Sequence, residues 1–127
     1  MSNIDELFSM LSWNADEETQ KRGLQLAGQI KACSVFLQPL EDKSAWENCA
    51  KIFACKSDQE LKPYLLELIK WLQDMNWPGA WIIRDSLKRM DWHILEPGLA
   101  YSIKLANKLE DNEWKNTITD LLNDVQL

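Results

Sequence analysis

Apolar and polar positions alternate along most of this chain with a helical period. Leu61, Leu65, Leu68 and Leu72 follow one another at spacings of 4, 3 and 4, and Tyr64, Leu66, Ile69 and Trp71 add apolar surface on other sides. That pattern predicts a central, buried helix. Ser57 and Glu60 have capping-box spacing ahead of it, and Pro63 falls in its first turn. The corner Asp74-Met75-Asn76-Trp77-Pro78-Gly79 then reverses the chain. Pro78 is expected at the first position of a second helix, with Ala80, Ile83, Leu87 and Met90 on its apolar face.

Further helices are expected on either side. Ile4, Leu7, Phe8 and Leu11 form a first amphipathic set, capped by Ser2 or Asn3. The segment Trp13-Asn14-Ala15-Asp16 turns into a second helix carrying Gly23, Leu26, Ala27 and Ile30. Residues 33–43 are irregular and predict a short helical turn and a loop. Ser44 and Glu47 read as a second capping box, before a helix with Trp46, Cys49, Ala50 and Phe53 on one side. Asp91 to Gly98 reads as a connection, with Pro97 near the start of a helix bearing Leu99, Ser102, Ile103 and Ala106. The final helix presents Trp114, Ile118, Leu121, Leu122 and Val125, capped by Asp111 or Asn112.

Part of this text repeats. YLLELIKWLQDMNW, from Tyr64 to Trp77, aligns with YSIKLANKLEDNEW, from Tyr101 to Trp114, at an offset of 37 residues with five identities in fourteen. Leu40-Glu41-Asp42 with Trp46 is a looser third copy. Each copy ends a helix on leucine, turns at aspartate and opens the next helix near a tryptophan. A period of this length with two helices per unit predicts an all-α fold, a short right-handed superhelix of about four HEAT-like helical hairpins. It would form a single helical-repeat domain over residues 1–127.

Composition narrows the function classes. The net charge of −6 is spread evenly, with 10 acids and 7 bases in each of residues 1–62 and 63–127. Nucleic-acid binding rests on Lys/Arg contacts to phosphate, so no nucleic-acid partner is expected, whereas a basic protein partner would be steered by this charge. No apolar run approaches the length of a membrane span. The start Met-Ser-Asn-Ile-Asp-Glu lacks a basic region and apolar core, so the expectation is a cytoplasmic protein.

Catalytic chemistry finds no foothold. Cys33, Cys49 and Cys55 lack C-x-x-C spacing and read as buried thiols, and the lone His93 has no ligand partner at metal spacing. The glycines are scattered, so no phosphate loop is formed. No catalytic residue, metal or cofactor is expected. An enzyme on the same scaffold, such as a HEAT-like DNA base glycosylase, would need Arg84, Lys88 and Arg89 clustered beside Lys104 and Lys108. The seven tryptophans are the unusual feature. Trp46, Trp77 and Trp114 occupy the repeated position and are expected to wedge between hairpins. Aromatic residues anchor protein interfaces, so Trp13, Trp71, Trp77, Trp81 and Trp92, with Asp74 and Asp85, are the candidate partner-binding residues.

The string Leu68 to Ala80, LIKWLQDMNWPGA, resembles the signature of a bacterial domain family of unknown function with HEAT-like repeats. The matching residues are Trp71, Leu72, Gln73, Asp74, Met75, Asn76, Trp77 and Pro78, with looser similarity across residues 33–90. Proteins of this kind tend to be small, cytoplasmic and encoded near toxin-immunity genes. The resemblance implies an immunity or adaptor role and supplies no catalytic residues. The leading expectation is a non-enzymatic binding protein, an immunity protein that neutralises a basic toxin domain. The alternative is an interaction module or homodimer of unknown role.

Overall fold

A computed structural model describes residues 3–30, 33–38 and 43–125. Every regular element among them is helical. The α-helices are α1 (Asn3–Leu11), α2 (Glu17–Ala27), α3 (Trp46–Ala54), α4 (Asp58–Leu61), α5 (Leu65–Lys70), α6 (Ala80–Lys88), α7 (Trp92–Lys108) and α8 (Asn112–Val125). Short 3-10 turns occupy Cys33–Phe36, Lys43–Ala45, Lys62–Tyr64 and Trp71–Gln73.

Helix α1 packs on α2 as an antiparallel pair. Gly23 makes that approach possible, since a Cβ there would stand 2.9 Å from the Met10 Cβ. Asp16 caps α2 by accepting the Thr19 N–H at 2.7 Å. Leu26, expected on the apolar face, is exposed instead; Leu24 takes the inward position. The helix stops at Ala27, short of Ile30. Asn48 ties this pair to α3, its side-chain amide donating to the Leu11 carbonyl at 2.6 Å and to Gln20 at 2.9 Å. Ser44 lies inside the 3-10 turn rather than ahead of a helix, with its hydroxyl 2.7 Å from that of Ser12. The Ser2 cap, Pro39 and the Leu40-Glu41-Asp42 copy of the repeat lie outside the described residues.

The rest forms two layers. Helix α6 lies between α3 and α8, while α7 packs on α5 and on α8. The helices of the first layer each have one of the three matched tryptophans near their starts: Trp46 opens α3, Trp77 lies three residues before α6, and Trp114 is the third residue of α8. The predicted central helix is present, broken into α4 and α5 by a tighter turn. The missing Pro63 N–H favours that turn, in which the Leu65 N–H reaches back only to the Lys62 carbonyl. The Ser57–Glu60 capping box is formed in both directions, at 3.0 and 3.3 Å. Leu61, Leu65, Leu68, Ile69, Trp71 and Leu72 are all buried, while Leu66 reaches solvent.

Two expectations at prolines are corrected. Pro78 does not begin a helix. It sits in a turn closed by the Ala80 N–H on the Trp77 carbonyl at 3.1 Å, followed by Gly79 at φ +86°. Proline then glycine with positive φ at the two central positions is a type II turn. Nor is Asp91–Gly98 a connection. Asp91 accepts the His93 N–H at 2.8 Å, and α7 runs from Trp92 straight through Pro97. Leu95 and Leu99 anchor both sides of the proline in the core, while Pro97 itself faces solvent. A Cβ on Gly98 would stand 2.8 Å from the Leu65 Cδ2, so glycine lets α7 close on α5.

Candidate protein-interaction surface

The corner between α5 and α6 is fixed from beneath by tryptophans. Trp71 is fully buried, and its indole N–H donates to the Pro78 carbonyl at 3.0 Å. Trp46 meets Trp71 and Trp77 edge to face, with ring centroids 6.2 and 5.8 Å away. Such aromatic pairs add to the area they bury and hold ring orientations. The Asp74 carboxylate accepts the Asn76 N–H at 2.8 Å, and its main-chain carbonyl accepts the Trp77 N–H at 3.0 Å. Gly79 closes the turn against α3, where a Cβ would stand 2.7 Å from the Ala50 Cβ and 2.9 Å from the Trp46 carbonyl oxygen. Each local device therefore serves one end, a rigid corner pressed onto α3.

The outer side of this corner is an open groove of about 390 Å³ lined by Glu47, Met75, Asn76, Trp77, Pro78, Gly79, Trp81 and Ile82. Trp81 stands at its edge, 60% exposed. Trp77 is half-buried and contributes its remaining surface. The Arg84 guanidinium lies 5.7 Å from the Trp81 ring centroid and pairs with Asp124 of α8. That ion pair holds the Asp124 carboxyl below the usual carboxylate range. The cation is thus committed to steadying Trp81, and Glu47 is the one charged side chain in the groove lining. Glu47 lines the groove, and Asp85 is exposed on α6 one turn beyond Trp81.

The sequence-derived candidates divide clearly. Trp77 and Trp81 share the groove, Trp77 from the turn before α6 and Trp81 from the helix itself. Asp74 shapes the corner and is half-buried, and Asp85 flanks the groove. Trp71 is corrected from contact residue to scaffold, since a fully buried side chain presents no surface. Trp13 is 52% exposed in the α1–α2 turn, and Trp92 is half-buried at the start of α7; neither lines the groove. Sequence reasoning missed Met75, Ile82 and Glu47. The i, i+4 relation of Trp81 and Asp85 was the readable signal for the polar edge.

Among the described residues no cluster of His, Cys, Asp or Glu is placed to hold a metal, and no helix is long and apolar enough to cross a membrane. Cys33 and Cys49 are buried, and burial pushes the Cys49 thiol up to about 12; Cys55 is exposed. Trp114 repeats the pattern of Trp71 at the other layer, its buried indole donating to the Ile69 carbonyl at 3.0 Å.

The chain matches no curated protein and no solved structure. A family model does match, covering residues 38–126, from just before α3 through the corner to the end of α8. The chain belongs to the family so described, a domain of unknown function, DUF5071.

Proposed function

We propose that this chain is a non-enzymatic protein-binding domain, a short HEAT-like stack of helical hairpins whose partner seats on the corner groove. The observation that carries this is Trp81. A large aromatic side chain is held in solvent at 60% exposure, steadied by Arg84 beside a corner fixed by Trp46, Trp71, Asp74 and Gly79. Exposed tryptophans on a preorganised surface are the residues that dominate interface energetics. Glu47 and Asp85 give the rim a negative sign, so the fitting partner is a basic protein.

Neutralisation of a basic toxin domain in the cytoplasm is the role that best joins this surface to the net charge of −6. The test is co-expression with candidate toxic, basic proteins encoded beside it. Survival of the host and recovery of a stoichiometric, salt-sensitive complex support the immunity role. A complex with a non-toxic protein leaves a binding domain and removes the immunity role.

A further inference from the structure

The two copies of the internal repeat differ in what covers them. Leu72 is fully buried, yet its counterpart Leu109 is 56% exposed. Tyr64 is half-buried against Phe53, with centroids 6.1 Å apart, whereas Tyr101 is 51% exposed. The first copy lies under α7 and α8; α5 and α8 pack on the second along its Ser102–Ala106 side, while Tyr101 and Leu109 stay in solvent.

The uncovered residues are contiguous. Leu66, Tyr101 and Leu105 line one shallow groove between α5 and α7, together with Glu67, Lys70 and Ser102. Leu109 extends the stripe, since Tyr101, Leu105 and Leu109 are successive i, i+4 neighbours. Leu66, Tyr101 and Leu109 are three of the seven exposed large hydrophobics among the described residues, so the face is a concentration and not a scatter.

Charge identifies the occupant. Lys104 and Lys108 are exposed, one turn apart, on the same side of α7 as Tyr101, and Lys70 lines the groove from α5. Glu67 is the one acid in the lining. Lys70, Lys104 and Lys108 thus outnumber Glu67 and Glu110 beside the apolar stripe, and that basic flank is complementary to an acidic amphipathic helix. A second copy of this chain fits less well, because a two-fold axis through the stripe would bring Lys104 and Lys108 toward the same lysines.

We infer that the α5–α7 face docks an acidic amphipathic helix of another protein, with leucines on Leu66, Tyr101, Leu105 and Leu109 and carboxylates toward Lys70, Lys104 and Lys108. This surface lies on the second layer and is separate from the Trp81 groove. It has the opposite charge preference.

The test uses a fluorescein-labelled synthetic helix with leucines at i, i+4 and i+7 and glutamates on both flanks. A control peptide carries lysine in place of each glutamate. Anisotropy titrations are run against the full chain. The glutamate peptide is expected to bind, and K104E/K108E to weaken it about tenfold or more while strengthening the lysine peptide. Leu109→Asp should abolish binding, and Trp81→Ala should leave it unchanged, which separates this surface from the corner groove. All the substituted side chains are exposed, and circular dichroism verifies the fold. Failure of the glutamate peptide to bind, or binding indifferent to K104E/K108E, overturns the inference. So does a dimer in sedimentation that Leu109→Asp dissolves, which would make a second copy the occupant.

Discussion

The indole N–H of Trp71 donates to the Pro78 carbonyl at 3.0 Å, joining the end of the central helix to the turn that reverses the chain. The ring is fully buried, and Trp46 and Phe53 both pack on it edge to face. One side chain therefore fixes the corner and fills the core behind it.

Replacing Trp71 by phenylalanine keeps most of the apolar bulk and removes the donor. The Pro78 carbonyl loses its partner, and stability should fall by about 1–3 kcal/mol, or more where the smaller ring leaves a void. Denaturant unfolding with unchanged slope checks this. Trp114→Phe should behave alike, because its indole is the donor to the Ile69 carbonyl.

Gly79→Ala tests the turn itself. The position has φ +86°, and the new Cβ would meet Ala50 and the Trp46 carbonyl below van der Waals distance. Strain and clash together should cost about 2–3 kcal/mol, seen as a lowered Tm. Gly98→Ala meets only side-chain atoms of Leu65 and Ile69, which can shift, so its effect should be smaller.

Much of this was legible in the sequence, and the misses have physical causes. The leucine ladder, the Ser57 box and the apolar faces of α3, α6 and α8 reported burial directly, because one solvent-averse stripe decides each helix. Pro97 misled because proline usually opens a helix; here core anchoring by Leu95 and Leu99 outweighs the lost hydrogen bond. Pro78-Gly79 satisfies two rules, helix opening and type II turn, and only packing against Ala50 and Trp46 chooses between them. For the candidate surface, periodicity could not tell Trp71 from Trp81. Which indole faces solvent depends on how α6 settles between α3 and α8, a tertiary fact.

Thiol reactivity should follow burial. Ellman titration of the native protein should label Cys55 rapidly, and Cys33 and Cys49 only on unfolding, because desolvation raises both buried thiols. Rapid labelling of all three would contradict the packing of α3.

Acid should destabilise the fold through three carboxylates. Hydrogen bonds from Thr19 to Asp16, from Ser57 to Glu60 and from Arg84 to Asp124 hold each below its ordinary pKa. Their unfolded forms bind protons first, so stability is full above the unfolded pKa, about 4, and declines as pH falls through the folded values. Denaturant midpoints measured across that range should drop, and Asp16→Asn should flatten the drop.

The most direct measurement compares partner retention by Trp81→Ala, Asp85→Lys and a control, Leu26→Ala, each immobilised as the folded full chain. Leu26 is exposed on α2 and does not line the groove. The expected result is a partner held in stoichiometric amount by the wild type and Leu26→Ala, lost about tenfold or more with Trp81→Ala, and released earlier in salt with Asp85→Lys. Equal retention by all four proteins would contradict the corner groove as the binding surface.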